Sequence, residues 1–431
     1  MANDFTTGAL WQSSIPNWQR IYYEGLLMET LRTKSIMVPY TVMKEDFTAK
    51  KTGIMNFTEV YDTEPNWNTI SETDLWLSGA HLDSRSQTIS LEVHGDILKF
   101  SDYSEITTYI NNGDIRGLVR EKIGQNLTDT LDILARNAFL AHPYPVYAGG
   151  TQADRASITA DDLFDPDLAE LARTHLEEHE IPGVVAVDDS GVQSIVCVTT
   201  PRVIHDIRTA AGSDWLELQQ YAGGSRKFNG EVGTWNGVRF VRTNRLVLRN
   251  YGAVEQQSTL AAASVKGQGA AATVDTIYSV GRDPNATRYI TVAANSDGAS
   301  GLAFKVGDYI TIHSATAGEA GKAPNEADGT QETRRIVAVS GTGSVNLSLD
   351  KPLMKPHASG DYVTKGRTLH ASLFMGGPSV VFGVAERPTP ILPPKFDDLM
   401  MINRIGWRGM FKFQQFRPEY YELHLTAGST N

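Results

Sequence analysis

The sequence predicts an α+β protein built from several dissimilar parts, and three observations carry that reading. Residues 114–141 (DIRGLVREKIGQNLTDTLDILARNAFLA) place apolar side chains at Ile115, Leu118, Val119, Ile123, Leu127, Leu131, Leu134, Ala135 and Ala138. These steps of three and four draw one stripe along a single long helix. The stretches on either side of it, near 56–105 and 400–426, have strand character instead. Residues 255–367 hold a run of short β-type segments separated by Gly, Asp and Asn turns, with no helical periodicity.

With 431 residues there is room for two or three domains and a large core. No apolar run approaches the roughly 20 residues of a membrane span. The start, MANDFTTGALWQSSIP, lacks the basic and apolar regions of a signal peptide. The single cysteine, Cys197, rules out an internal disulfide framework, and its apolar setting SIVCV marks it as a small buried hydrophobe. A net charge of −11 argues against a chain built to grip nucleic acid. That charge is unevenly spread: residues 61–105 hold nine acids and two bases, whereas 1–60 and 255–367 are balanced.

Residues 1–55 read as an arm, with a helix over Asn17–Thr33 and an extended passage SIMVPYTV around Pro39. Residues 56–105 read as a long β-hairpin: NFTEVYD and QTISLEV are its strands, a polar tract joins them, and Gly95-Asp96 turns the chain into ILKFSDY. The long helix and its following loop fill 106–160, with Asp114 as N-cap and Pro143 and Pro145 barring continuation. From 161 to 254 the pattern is mixed α/β. A helix has Pro166 in its first turn, GVQSIVCVTT is a strand, and a second helix runs from Pro201 to Gly212. SDWLELQQYAGG reads as a short helix, and Asn236-Gly237 marks a hairpin before VRFVR. Residues 255–367 form a self-contained β-barrel or sandwich, entered through the small-residue linker AAASVKGQGAAATV. The interrupted domain returns over 368–390. Residues 391–431 follow a proline-rich connector as one or two long strands.

One enzymatic pattern stands out. His175, Glu178 and His179 match the H-x-x-E-H spacing in which two histidines one helical turn apart face a Zn²⁺ and the glutamate serves as base, as in a zinc-dependent hydrolase. No third ligand is signalled, and an exposed polar helix face explains the same residues. Phosphate-binding loops and a G-x-S-x-G nucleophile elbow are missing from the sequence, and no cofactor is implied.

The order of parts, together with the strings GEVGTWNGVRFVRTNRL (230–246), VTTPRVIHDI (198–207), HGDILKFSDY (94–103) and INRIGWRGMFKF (402–413), resembles the major capsid proteins of tailed bacteriophages. Their fold is the HK97 type, and the likeness is strongest to the N4-like and P22-like podophage coats. The resemblance covers about 1–254 and 368–431. It implies an N-terminal arm, an E-loop over 56–102 lying on an adjacent subunit and a P domain with a spine helix over 114–141. It also implies an A domain over 161–385 that carries the inserted all-β domain. The implied function is a coat protein that self-assembles into hexamers and pentamers of an icosahedral head around dsDNA. The implied partners are its own copies, a separate scaffolding protein, a portal protein and a decoration protein, with weak nonspecific contact to packaged DNA. The implied setting is the virion, assembled in the host cytoplasm. An encapsulin-like cellular compartment has the same fold and is the alternative.

Charge suggests where subunits meet. Glu72, Asp74 and Asp83 of the acidic tract are candidates to face Arg239, Arg242, Arg245 and Arg249 of a neighbour, although the arginine spacing does not put all four on one strand face. Solvated surface and pairs within one subunit are the plain alternative. The inserted domain either braces neighbours or stands outside the shell.

Overall fold

The computed structural model describes residues 35–46, 49–60, 83–101, 115–179, 181, 183–185, 193–212, 216–217, 231–261, 289–293, 304–314, 331–340, 345–351, 353, 355, 357–393 and 402–429. The expected helix over Asn17–Thr33, the polar tract 61–82, the N-cap Asp114 and nearly all of the small-residue linker lie outside them.

In chain order the elements are β1 (Thr41–Glu45), β2 (Ile54–Val60), β3 (Ser84–Ser90), β4 (Glu92–Ser101) and α1 (Ile115–Leu140). There follow β5 (Val146–Tyr147), α2 (Pro166–Glu178), β6 (Val184–Val185), β7 (Gln193–Thr199), α3 (Pro201–Ala211), β8 (Leu216–Glu217), β9 (Glu231–Trp235), β10 (Val238–Arg242) and β11 (Val247–Leu248). The rest is all strand: β12 (Val254–Thr259), β13 (Tyr289–Val292), β14 (Tyr309–His313), β15 (Glu332–Ser340), β16 (Val345–Leu349), β17 (Tyr362–Gly366), β18 (Leu369–Met375), β19 (Val380–Ile391), β20 (Ile402–Gln415) and β21 (Tyr421–Thr426). The chain divides into two compact units, residues 1–135 with 380–416 and residues 136–379 with 417–431.

In the first unit a four-stranded sheet has the order β1-β19-β20-β4. The β1 and β19 strands run parallel, and the other pairs are antiparallel. Alternate residues of β19 and β20 build its aromatic core, where Phe382 and Phe413 stack at 4.3 Å between ring centres. Hairpin β2–β3 has a buried base of Met55, Ile89 and Leu91 packed with Val381, Ala385 and Phe416. Farther out it exposes Val60, at 60%.

Two local expectations fail here. Pro39 lies in a single 3₁₀ turn (Val38–Tyr40) rather than an extended run, because its fixed φ also suits a helical first turn. Gly95-Asp96 makes no turn: both residues lie inside β4, opposite Arg408 and Trp407. A β-carbon on Gly95 would sit 2.7 Å from the Trp407 carbonyl oxygen, so the glycine serves close strand approach.

The long helix is present. At about 1.5 Å per residue its length is about 39 Å. Ile123, Leu127, Leu131, Ala135 and Phe139 are buried, as the stripe predicts for the first four. Asp132 is not one of the apolar stripe positions, yet it is fully buried. Its carboxylate accepts hydrogen bonds from Ser35 Oγ at 2.6 Å, Ile36 N at 3.2 Å and Met37 N at 3.1 Å. A buried charge survives because it satisfies the backbone of the segment leading into β1.

In the second unit the main sheet runs β5-β21-β18-β7-β10-β9-β8, with β11 added on β18 and β6 on β7. Helices α2 and α3 cover it through Ala169, Ala172, Leu176, Val203, Ile204 and Ile207. Asp165 caps α2 by accepting from Leu168 N at 3.0 Å. At the β9–β10 turn Asn236 and Gly237 both take positive φ, as a two-residue hairpin needs. Part of the expected helix SDWLELQQYAGG is instead strand: Leu216 and Glu217 pair with β9, and the remaining residues lie outside those described. Cross-strand pairing has overridden a helix-compatible pattern.

Residues 254–366 make a separate six-stranded layer of order β12-β17-β14-β15-β16-β13. A bridge between Leu260 and Val292 joins its two ends, so the layer closes as a barrel around Ile290, Ile310, Ile312, Ile336, Leu347 and Val363. The expected block of closing strands over 391–431 divides. The β20 strand stays in the first unit, and β21 pairs with β18 in the second. The 368–390 return likewise divides, at Val380.

Candidate functional site

The arginines singled out by charge have four different surroundings. Arg239 lies on β10 between the buried Val238 and Phe240. Its guanidinium pairs with Glu231 at 2.8 Å and donates to Ser194 Oγ at 3.0 Å. Glu231 has no exposed side-chain surface, so this pair is spent inside the subunit. Arg245 is half-buried, and its carbonyl accepts from Arg136 Nη1 at 3.2 Å. Arg242 is exposed in a shallow groove beside His205 and Arg208 of α3. Arg249 is exposed, with its guanidinium carbon 3.8 Å from the centre of the Tyr309 ring. The four therefore form no common surface. Asp83 is exposed, and its carboxylate accepts from Ser84 N at 2.8 Å. Glu72 and Asp74 lie outside the described residues.

A different set of cations does converge. A cleft of about 660 Å³ is lined by Thr200, Arg202, Arg249, Glu255, Arg367 and His370, among others. It lies where α3 begins, where the chain passes between the main sheet and the barrel, and where the tail 427–429 runs by. Arg202 donates to the Ser429 carbonyl, and Arg367 donates to the Ile158 carbonyl at 2.8 Å. Among the described residues none of Arg202, Arg249 and Arg367 forms an ion pair with a carboxylate. His370, bonded through Nδ1 to Thr200 Oγ1 at 2.9 Å, has its pKa lowered to about 4, first by burial and then by Arg202 and Arg249, with Asp206 partly opposing them. The cleft is thus electropositive in a chain that is strongly acidic overall. Sequence spacing gave no sign of Arg202 or Arg367. They reach Arg249 only because α3 and the β17–β18 junction fold onto the same wall.

The zinc-like triplet is not assembled as its spacing suggests. His175 Nδ1 pairs with Glu422 Oε1 at 3.1 Å, and the other oxygen of Glu422 bonds His424 at 2.9 Å. Glu178 and His179 are exposed at the end of α2, where His179 is the C-cap. No group of three or more His, Cys, Asp or Glu side chains among the described residues is placed to hold a metal. Cys197 is buried in β7, and burial pushes its thiol pKa up. Asn126 lies on α1 and accepts from Trp407 Nε1 at 3.0 Å.

The family model described as "Phage capsid protein" matches residues 106–286, which take in α1, α2, α3 and the strands up to the first of the barrel. The match spans 181 of the 431 residues, somewhat under half of the chain. Among solved structures, the capsid of Ralstonia phage GP4 matches with a TM-score of 0.53 at 13% identity, covering 91% of this chain and 88% of that one. The head structure of Helicobacter pylori bacteriophage KHP40 gives 0.48 at 9% identity, covering 92% and 91%. The Cyanophage Pam1 capsid gives 0.47 at 11%, covering 91% and 90%. The Ralstonia phage match carries the fold assignment, which is the HK97 type. No curated protein sequence matches the chain.

Proposed function

We propose that this chain is the coat subunit of a phage head, and that its copies associate as hexamers and pentamers into a closed icosahedral shell around dsDNA. The phage-capsid match at 106–286, lying on the long helix and the α/β layer of an HK97-type fold, carries this reading. The first unit supports it physically. Its hairpin and sheet leave Met43, Ile54, Val60 and Val93 from 49% to 66% exposed, which is apolar surface that neighbouring copies would cover. In this reading β2–β3 and the residues between them are the E-loop, α1 is the spine helix and the barrel is an insertion in the A domain. The motif strings favour a place near the N4-like and P22-like podophage coats. A separate scaffolding protein guides closure, a portal protein takes one vertex and a decoration protein is a further partner, all within the host cytoplasm before the virion leaves. DNA contact is nonspecific and weakens with salt. An encapsulin-like compartment would use the same fold, and the phage-capsid match favours the phage head over it.

Expression of the full chain with and without its scaffolding protein, viewed by electron microscopy, tests the reading. Closed shells of regular diameter are expected. A chain that stays a rigid monomer with every partner and condition tried would refute it.

A further inference from the structure

We propose that the cleft lined by Arg202, Arg249 and Arg367 is the receiving site for the acidic segment 61–82 of a second copy of this chain. The inference rests on the coat-protein reading and adds the place where two copies lock.

Charge complementarity points to this occupant. Residues 61–82 carry Asp62, Glu64, Glu72 and Asp74 and no lysine or arginine. The lining of the cleft offers three arginines against one acid, Glu255, with Asp206 the further carboxylate beside it, engaged by Ser429 N. Each guanidinium has five N–H donors in a planar fork that matches a carboxylate. Arg202 and Arg367 each give one hydrogen bond to a backbone carbonyl, which leaves most of their donors for a ligand. Arg249 lies over the Tyr309 ring, a stacking that leaves the edge of its fork free. Bringing three like charges to one wall is costly without an anion to answer them.

The cleft is also held in shape before anything binds. The tail presses on it so closely that a β-carbon on Gly428 would sit 2.6 Å from His370 Nε2 and 2.7 Å from Arg202 Cγ. Ser429 N is anchored on Asp206 Oδ2 at 3.1 Å. A preformed site loses less entropy when a segment docks. His370 sits among the arginines in its neutral form, so it adds no fourth charge near neutral pH.

The test uses the full chain. Reversing Arg249→Glu with Arg367→Glu should lower shell yield by roughly tenfold or more, since charge-assisted contacts repeat at every subunit. Glu72→Arg with Asp74→Arg should do the same, and the four changes together should restore shells. Denaturation of each unassembled variant checks that it folds. As a second measurement, an Arg249→Lys, Arg367→Lys chain keeps the charge and allows carbodiimide cross-linking to carboxylates. In shells grown from mixed light and heavy-nitrogen chains, mass spectrometry should find peptides joining position 249 or 367 to 61–82 of a different copy. Unchanged yield in both reversals, cross-links only within one copy, or arginine variants that lose only DNA binding would each overturn the assignment while leaving the coat reading standing. If the unaltered chain forms no shells, both readings fall together.

Discussion

Replacing Asp132 with alanine should release the start of β1 from the long helix without melting the barrel. The side chain is fully buried and accepts from Ser35 Oγ, Ile36 N and Met37 N, and Ser35 and Met37 are themselves buried. Hydrogen bonds to a charged group contribute about 1.5–3 kcal/mol each, and contributions that share one acceptor do not simply add. Losing all three, with two buried donors left unanswered, should cost roughly 3–5 kcal/mol. That is a large part of the roughly 5–15 kcal/mol that holds a domain together. Asp132→Asn keeps one acceptor and most of the shape, so it should lose roughly half as much. Hydrogen exchange read by mass spectrometry resolves the effect. Amides of 35–46 should lose protection strongly in Asp132→Ala and partly in Asp132→Asn, while β14 and β17 keep theirs. Full protection of 35–46 in Asp132→Ala, with an unchanged urea midpoint, would refute the idea that this carboxylate ties the arm down.

Three further outcomes are expected. Arg239→Ala removes the 2.8 Å ion-pair contact from the buried Glu231 carboxylate, so it should destabilise the second unit by about 1.5–3 kcal/mol in thermal melts, whereas Arg239→Met with Glu231→Leu should recover most of the loss; a single variant that melts like an exposed substitution would show the pair to be idle. His313 is fully buried, and burial lowers its pKa to about 4 from about 6.5, so the unfolded chain binds a proton that the folded one refuses. Its contribution should be complete above pH 6.5 and be lost as pH falls toward 4, and in denaturation series over that window His313→Gln should flatten the fall relative to the unaltered chain, with identical profiles counting against it. The ends of the barrel meet, since Gly252 N donates to Arg367 O and Arg367 N to Ala253 O, both at 2.9 Å. Excising 254–366 behind a short turn should therefore leave β7 and β18 protected from exchange, and loss of that protection would show that the barrel supports the sheet; whether such a chain still closes shells separates a bracing role from an outward one.

Much of the fold was legible because periodicity reports burial. The stripe from Ile123 to Ala135, Pro166 in the first turn of α2, the Asn236-Gly237 turn and the barrel strands all follow from local rules. The failures have two causes. The roles of Asp132 and Gly95 come from partners far along the chain, the backbone at 35–37 and the carbonyl of Trp407, whereas Pro39 has a φ that suits both an extended run and the first turn of a helix. The pairing of β21 with β18 is similarly nonlocal, and no pattern within 391–431 states which sheet each strand joins. The charged surface was the least legible part. Arg239, Arg242, Arg245 and Arg249 look alike in sequence, and only the pleat of β10 and the path after it separate the pair buried against Glu231 from the cation left over Tyr309.

That separation bears on how assembly is tuned. A buried pair such as Arg239–Glu231 responds little to salt, because water and counterions do not reach it. Arg249 lies open to solvent, and an exposed contact at that position weakens as ions screen it. The same strand region thus holds one charge inside the fold and leaves another open to solvent, where the proposed contact with a second copy would form. Fold stability should then change little between low and high salt, while the association of copies weakens over that range. Under the proposed coat reading this division is useful: weak, repeated contacts let misplaced copies leave a growing shell, and internal pairs keep each copy folded while they do.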